Sequence, residues 1–201
     1  MAVGGCEKTP AVPVKPAATK WVEPLPVGAI SYFNAQCKVC HGEYGTQIYE
    51  HPRAHDGWEA YRGVVEYMVK ERAASALSTV EMDAQTTYCA SIAAATEKDA
   101  TEGSAVFVCV KKPVNDGGLE GEVTPGCTVM LIAAKGQVRV EAVVDKHTWS
   151  FTPQQVSNMK SSAGDDWVNA VIEARPKSGV GETQRLVLSE GAFKGPKLRE
   201  P

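Results

Sequence analysis

The hydrophobic period of this chain changes once, near Ser104, and one type of secondary structure cannot satisfy both sides of the change. From residue 30 to about 96 the apolar residues recur at spacings of three and four. Asp56-Gly57-Trp58-Glu59 sets an acid and a Glu three residues on before a stripe of Trp58, Tyr61, Val65 and Met68, which predicts a capped amphipathic helix. Ser78-Thr79-Val80-Glu81 repeats the signature, with Met82, Gln85, Cys89, Ile92 and Ala93 along one stripe of a second helix. Ile30, Phe33 and Asn34 fit a shorter helix before them. Lys98 to Gly103 breaks the pattern. After Ser104 the stretches Ala105 to Lys111, Cys127 to Ala133, Gln137 to Val144, Lys146 to Thr152, Asp166 to Arg175 and Gln184 to Ser189 are rich in Val, Ile, Thr and aromatics. Gly, Pro, Asn and Asp clusters separate them, as strands are separated by turns.

The expected fold is therefore α + β in two domains. An all-α domain spans 30–98 and an all-β sandwich spans 104–201, with immunoglobulin- or fibronectin-like topology as the default for six short strands. The chain's 201 residues suffice for both cores. Pro10, Pro13, Pro16, Pro24 and Pro26 favour extended conformations over packing, so residues 1–29 are expected to be a tether. The formal charge is −3, and residues 30 to 98 hold 6 basic against 9 acidic side chains, so no excess of Lys and Arg is available to neutralise phosphates. A nucleic-acid partner is not expected. Any electrostatic steering by the helical segment acts on a basic partner surface.

Within the helical segment stands Cys37-Lys38-Val39-Cys40-His41, the C-x-x-C-H pattern of covalent c-type haem attachment. The spacing has a physical reason. On a helical turn two Cys side chains three apart share a face and reach the two porphyrin vinyl groups, while His41 emerges one residue later to ligate iron. Two other chemistries use C-x-x-C. A thioredoxin-like redox pair needs a β-α-β context, and the flanks here are helical. A zinc knuckle needs two further close ligands, for which only His51 and His55 are at hand.

Residues 30–96 resemble the small class I monohaem cytochromes c in three stretches: Cys37-Lys38-Val39-Cys40-His41-Gly42, Trp58-x-x-x-x-x-Val64-Val65-x-x-Met68, and Leu77-Ser78-x-x-Glu81 opening a terminal helix that carries Tyr88. The resemblance covers about a third of the chain and leaves the β-region without a relative. It implies one haem c between the opening and terminal helices, with His41 as proximal ligand and a Met sulfur opposite. Met68 is the expected sulfur, with His51, His55, Met82 or an open position as alternatives, since the segment lacks the usual Pro-flanked Met loop. Trp58 and Tyr61 are core residues first and porphyrin contacts second. Arg53 and Arg62 are candidates for pairing with propionates. His147 is expected to be a surface or locally bonded strand residue.

The remaining cysteines bear on location. Haem attachment takes place outside the cytoplasm, where spare thiols pair, so Cys109 and Cys127, on strands expected to be neighbours, are the natural disulfide and Cys89 a buried small side chain, with Cys89 pairing to Cys109 or Cys127 as the alternative. Val3-Gly4-Gly5-Cys6 resembles the end of a bacterial lipoprotein signal, so lipid on Cys6 is the expected link to a membrane. The expected function is electron transfer by Fe(III)/Fe(II) cycling, in a periplasmic or other extracytoplasmic setting. Its partners would be redox proteins of a larger respiratory or photosynthetic assembly. A haem enzyme or gas sensor with an open sixth position, and a β-domain scaffold or adhesion module with accessory haem, are the alternatives. No Ser-His-Asp, paired-carboxylate or phosphate-loop pattern points to catalysis.

Overall fold

The computed structural model describes residues 27–46, 58–73, 76–96, 106–112, 118–179 and 183–188. Among them the order is four helices, then strands interrupted by a fifth helix. Helix α1 (Ala29–Gln36) buries Ala29, Ile30, Tyr32 and Phe33. It passes through Cys37 into the single turn α2 (Lys38–His41), and a 3-10 turn over Glu43–Gly45 follows. In α3 (Trp58–Arg72) the buried stripe is Tyr61, Val65 and Val69. Met68 falls beside that stripe rather than on it and is 37% exposed.

Helix α4 (Thr79–Thr96) is opened by the reciprocal cap read from sequence: the Glu81 N–H donates to Ser78 Oγ at 3.3 Å and the Ser78 N–H to Glu81 Oε2 at 2.9 Å. From Met82 to Ala93 it is buried on nearly every side, because α1 packs on one flank, α3 on another and Phe107 on a third. No helix among the described residues is long and apolar enough to cross a membrane.

The β-part forms two four-stranded antiparallel sheets. Sheet one has the order β1-β2-β6-β5, and sheet two the order β4-β3-β7-β8. The strands are β1 (Val108–Lys112), β2 (Leu119–Val123), β3 (Cys127–Ala133), β4 (Val138–Glu141), β5 (Val143–Asp145), β6 (Thr148–Phe151), β7 (Val171–Pro176) and β8 (Gln184–Val187). Pro125 and Gly126, the latter at φ 80°, turn the chain from β2 in sheet one to β3 in sheet two. Between β4 and β5 the chain returns at Ala142, whose N–H donates to the Val129 carbonyl at 2.9 Å. The register pairs Leu119 with Phe151 and Gly121 with Trp149. Alternation then turns these residues inward and Glu120, Glu122, Thr148 and Ser150 outward. In β3, Cys127, Val129, Leu131 and Ala133 are buried on alternate positions, and residues of both sheets and of helices α1, α3, α4 and α5 join one hydrophobic cluster.

Several expectations for residues 104–201 are corrected. The segment is not all-β, since α5 (Pro153–Ala163) follows β6. Its signal is Thr152-Pro153-Gln154-Gln155, a capping box with Pro at the first helical position, in which Gln155 N–H donates to Thr152 Oγ1 at 3.2 Å and Thr152 N–H to Gln155 Oε1 at 2.8 Å. The expected strand from Asp166 begins instead as a 3-10 segment over Gly164–Asn169, and β7 starts at Val171. The strand β2 lay unread in Leu119-Glu-Gly-Glu-Val, where two acids and a glycine dilute the apolar pattern. Cys109 and Cys127 do not pair: both are free thiols, and the strands expected to be neighbours lie apart, β1 in sheet one and β3 in sheet two.

On sheet two, Glu173 is 1% exposed and is held by Arg175 Nε at 2.5 Å and Arg185 Nη2 at 2.6 Å. Burial acts to raise its carboxyl, but the hydrogen bonds and charges of the two arginines outweigh it and hold the group below the usual carboxylate range. A depressed native value stabilises above the ordinary carboxylate pKa and ceases to do so as pH falls through the native one. Glu173→Gln is therefore expected to lower unfolding stability at pH 7 by about 1 kcal/mol, the arginines being half exposed, with the difference from wild type closing in acid denaturant titrations. At Gly121 an added Cβ would run into the Cys109 carbonyl and the Trp149 ring, whereas at Gly63 on α3 it meets nothing within 4 Å. Thermal denaturation should show Gly121→Ala losing about 1–3 kcal/mol and Gly63→Ala gaining up to about 1 kcal/mol.

Candidate cofactor site

Cys37, Cys40 and His41 are brought onto one helical turn. The N–H groups of Cys40 and His41 both donate to the Cys37 carbonyl at 3.1 Å, which sets side chains three and four apart on one face. Gly42 ends the turn at φ 73°, its N–H donating to the Lys38 carbonyl at 2.8 Å. Cys37 is half-buried and Cys40 exposed, both as free thiols. Val39 between them is 88% exposed. His41 is half-buried, its ring 6.2 Å from that of Phe33. Phe33 meets Tyr88 of α4 edge-on at 5.5 Å, and Tyr88 lies 5.3 Å from Phe107 at the entrance to β1. The Cys37–His41 turn is thus backed by aromatic packing that continues into the β-part.

Burial, with the neighbouring Cys40 adding to it, pushes the Cys37 thiol up to about 11. Burial likewise raises Cys89 to about 12, the Gln85 amide opposing and Cys37 reinforcing the shift. Gln85 Nε2 donates to Cys89 Sγ at 3.6 Å while its buried Oε1 has no partner among the described residues. The donor set, two thiols and an imidazole on one turn with one thiol at the surface, fits the chemistry of covalent haem attachment. Among the described residues no three His, Cys, Asp or Glu side chains converge on a point, and His51 and His55, the further zinc candidates, lie outside them.

The other expected contributors are dispersed. Met82, 6% exposed, lines a cavity of about 320 Å³ between α3 and α4 with Val69, Leu77, Arg62, Glu66 and Lys70; Cys37, Cys40 and His41 do not line it. Arg62 is already paired, with Asp83 at 2.7 Å and Glu66 at 3.2 Å. Tyr61 is buried and Trp58 half-buried on α3. His51, Arg53, His55 and Cys6 lie outside the described residues.

What sequence reasoning missed is a polar junction beside the motif. Helix α1 starts at Val27-Gly28-Ala29 with no side-chain cap of its own. Glu122 of β2, 0% exposed, supplies one from 92 residues away: its Oε2 accepts from the Ile30 N–H at 2.8 Å and the Ser31 N–H at 3.2 Å, and its Oε1 from the Ser31 hydroxyl. A Cβ at Gly28 would collide with this carboxylate. Lys111 Nζ stands 3.7 Å from Oε1. His147, on the turn between β5 and β6, reaches Ser31 Oγ with Nε2 and the Tyr44 hydroxyl with Nδ1, each at 3.3 Å. It is therefore a half-buried turn residue that bridges layers, not the surface or locally bonded strand residue expected. The absence of Ser, Thr, Asp or Asn before α1 was the available hint, but nothing local named Glu122 as its replacement.

No protein-family model, curated protein or solved structure matches the chain.

The Tyr88 phenol is 0% exposed and its hydroxyl has no hydrogen-bond partner among the described residues. Burial above all, and then Cys89, Tyr44 and Glu122, push it above the usual phenol range. Since an unpartnered buried hydroxyl contributes nothing to stability, Tyr88→Phe is expected to leave the urea-unfolding free energy unchanged or raise it by up to about 1 kcal/mol. A comparable loss would show the hydroxyl to be bonded.

Proposed function

We propose that residues 30–96 form a class I-like monohaem cytochrome c whose role is electron transfer. The observation that carries the reading is the single helical turn holding Cys37, Cys40 and His41 with the imidazole half-buried against Phe33. When bound, the haem supplies one-electron exchange between Fe(III) and Fe(II). Cys37 and Cys40 would hold it through thioether bonds, and His41 would offer a nitrogen to the iron. The exposed Cys40 and Val39 leave that edge open to a partner, while Phe33 and Tyr88 keep water from the inner face. A Cys37 thiol raised to about 11 is almost wholly protonated at neutral pH, which is unsuited to thiol-disulfide exchange and of no consequence for a thioether.

Met68 is the proposed sulfur ligand. Its partial exposure leaves the thioether outside the packed stripe of α3, whereas Met82 is committed to the wall between α3 and α4. The β-part is read as an immunoglobulin- or fibronectin-like sandwich, consistent with two antiparallel sheets whose residues share one core. Extracytoplasmic location, a lipid anchor on Cys6 and a larger electron-transfer assembly as partner follow from the haem reading and from the sequence.

A pyridine haemochrome assay on protein expressed with haem-attachment machinery should give one haem per chain. Cys37→Ser and Cys40→Ser should each weaken retention on acid-acetone extraction. The weak red band of sulfur-ligated ferric haem should vanish in Met68→Ala and persist in Met82→Ala. Zero or two haems, or a high-spin ferric spectrum with rapid carbon monoxide binding to reduced protein, would overturn the electron-carrier reading.

A further inference from the structure

We propose that His147 and Glu122 of the β-part are positioning residues for the attachment turn, joined to it by a directional chain of hydrogen bonds that spans both of its ends. The functional consequence rests on the haem reading above; the positioning itself does not.

The attachment turn has a beginning in α1 and an end at Tyr44, and sheet one grips both. At the beginning, the carboxylate of Glu122 takes the first N–H groups of α1, so the helix that delivers Cys37 is oriented by a strand of the other layer. At the end, Gly42 and Tyr44 stand at φ 73° and 54°. The second value is one that a residue with a Cβ adopts only when its surroundings demand it. Two contacts meet that demand: the Tyr44 N–H donates to Asn34 Oδ1 at 3.0 Å, and its hydroxyl meets His147 Nδ1 at 3.3 Å with the rings 5.8 Å apart.

The proton positions along the chain follow from the inventory of donors and acceptors. Glu122 accepts, so the Ser31 hydroxyl donates to it and has only lone pairs left for His147. Nε2 of His147 therefore carries the hydrogen and donates to Ser31 Oγ. In the neutral ring Nδ1 is then an acceptor, and the Tyr44 hydroxyl donates to it. The bonds run in one direction, from Tyr44 to His147 to Ser31 to Glu122, with no group left over. A single imidazole thus ties the segment after His41 to the helix before Cys37. Lys111 at the rim of Glu122, Cys109 on the neighbouring strand, Glu43 beside Tyr44, and Tyr88 are further titratable groups around it.

The test uses the full chain. Amide hydrogen exchange over residues 42–46 of the haem-free protein should become roughly tenfold faster in His147→Ala and in Tyr44→Phe, the loss of about one hydrogen bond. The double variant should be no faster than either single one, since both break the same link. Protection in β3 and β7 should be unchanged. His147→Gln, which keeps one donor and one acceptor, should move exchange back toward wild type. In haem-loaded protein the reduction potential should shift in the same direction in His147→Ala and Tyr44→Phe. Unchanged exchange in the single variants, additive effects in the double, or a His147→Gln variant no better than His147→Ala would overturn the positioning role. A chain that binds no haem yet shows the expected exchange pattern would instead overturn the haem reading and leave the junction standing.

Discussion

The carboxyl group of Glu122 has no exposed surface and sits between two layers, so the chain must surround it with donors or give up several kcal/mol for a buried polar group without partners. The donors it finds are the first amides of α1, the Ser31 hydroxyl and, at 3.7 Å, the Lys111 ammonium. The requirement works in both directions. The N-terminus of α1 presents amides that no residue of its own segment satisfies, and an accepting group there also meets the positive end of the helix. Each layer therefore completes the other. Gly28 fits this arrangement because the carboxyl occupies the space a larger residue would need.

Once α1 is fixed on the outer face of sheet one, much of the rest follows by packing. Phe33 on the buried face of α1 meets Tyr88, which meets Phe107, so α4 is pressed between α1, α3 and the entrance to β1. This explains why α4 is buried nearly all round despite a sequence stripe that suggested a single apolar face. It also explains the position of the C-x-x-C-H turn. Cys37 caps the C-terminal end of a helix aligned by Glu122, and the segment after His41 leads to Tyr44, which touches His147. The turn carrying the thiols and imidazole is short, and groups of the β-part hold the segments on both sides of it.

The fold was partly legible. The helices over 58–72 and 79–96 were readable because caps and stripes are local, and the strands from Cys127 and Gln184 because alternation is local as well. Helix α5 was missed although its capping box is written in Thr152-Pro153-Gln154-Gln155, since it falls between two expected strands, where Pro153, Asn158 and Gly164 read as a separating turn. Strand β2 was missed for a related reason: its acids look like loop residues, and one of them, Glu122, is there to serve α1. Pairing Cys109 with Cys127 assumed that strands close in sequence are neighbours, whereas the Pro125-Gly126 turn sends β3 into the other sheet.

By itself the sequence determined the local chemistry: a C-x-x-C-H turn whose spacing puts three donors on one face, helices with their own caps, and a change of period that separates a helical layer from a sheet-forming one. Tertiary structure alone decided what those donors lean on. Ser31, Tyr44, Glu122 and His147 are separated by up to 116 residues, and no periodicity records a hydrogen bond across such a distance. The physical reason is that capping and alternation are satisfied within a few residues, whereas a buried carboxyl and an uncapped helix are satisfied only by whichever group the completed fold delivers to them.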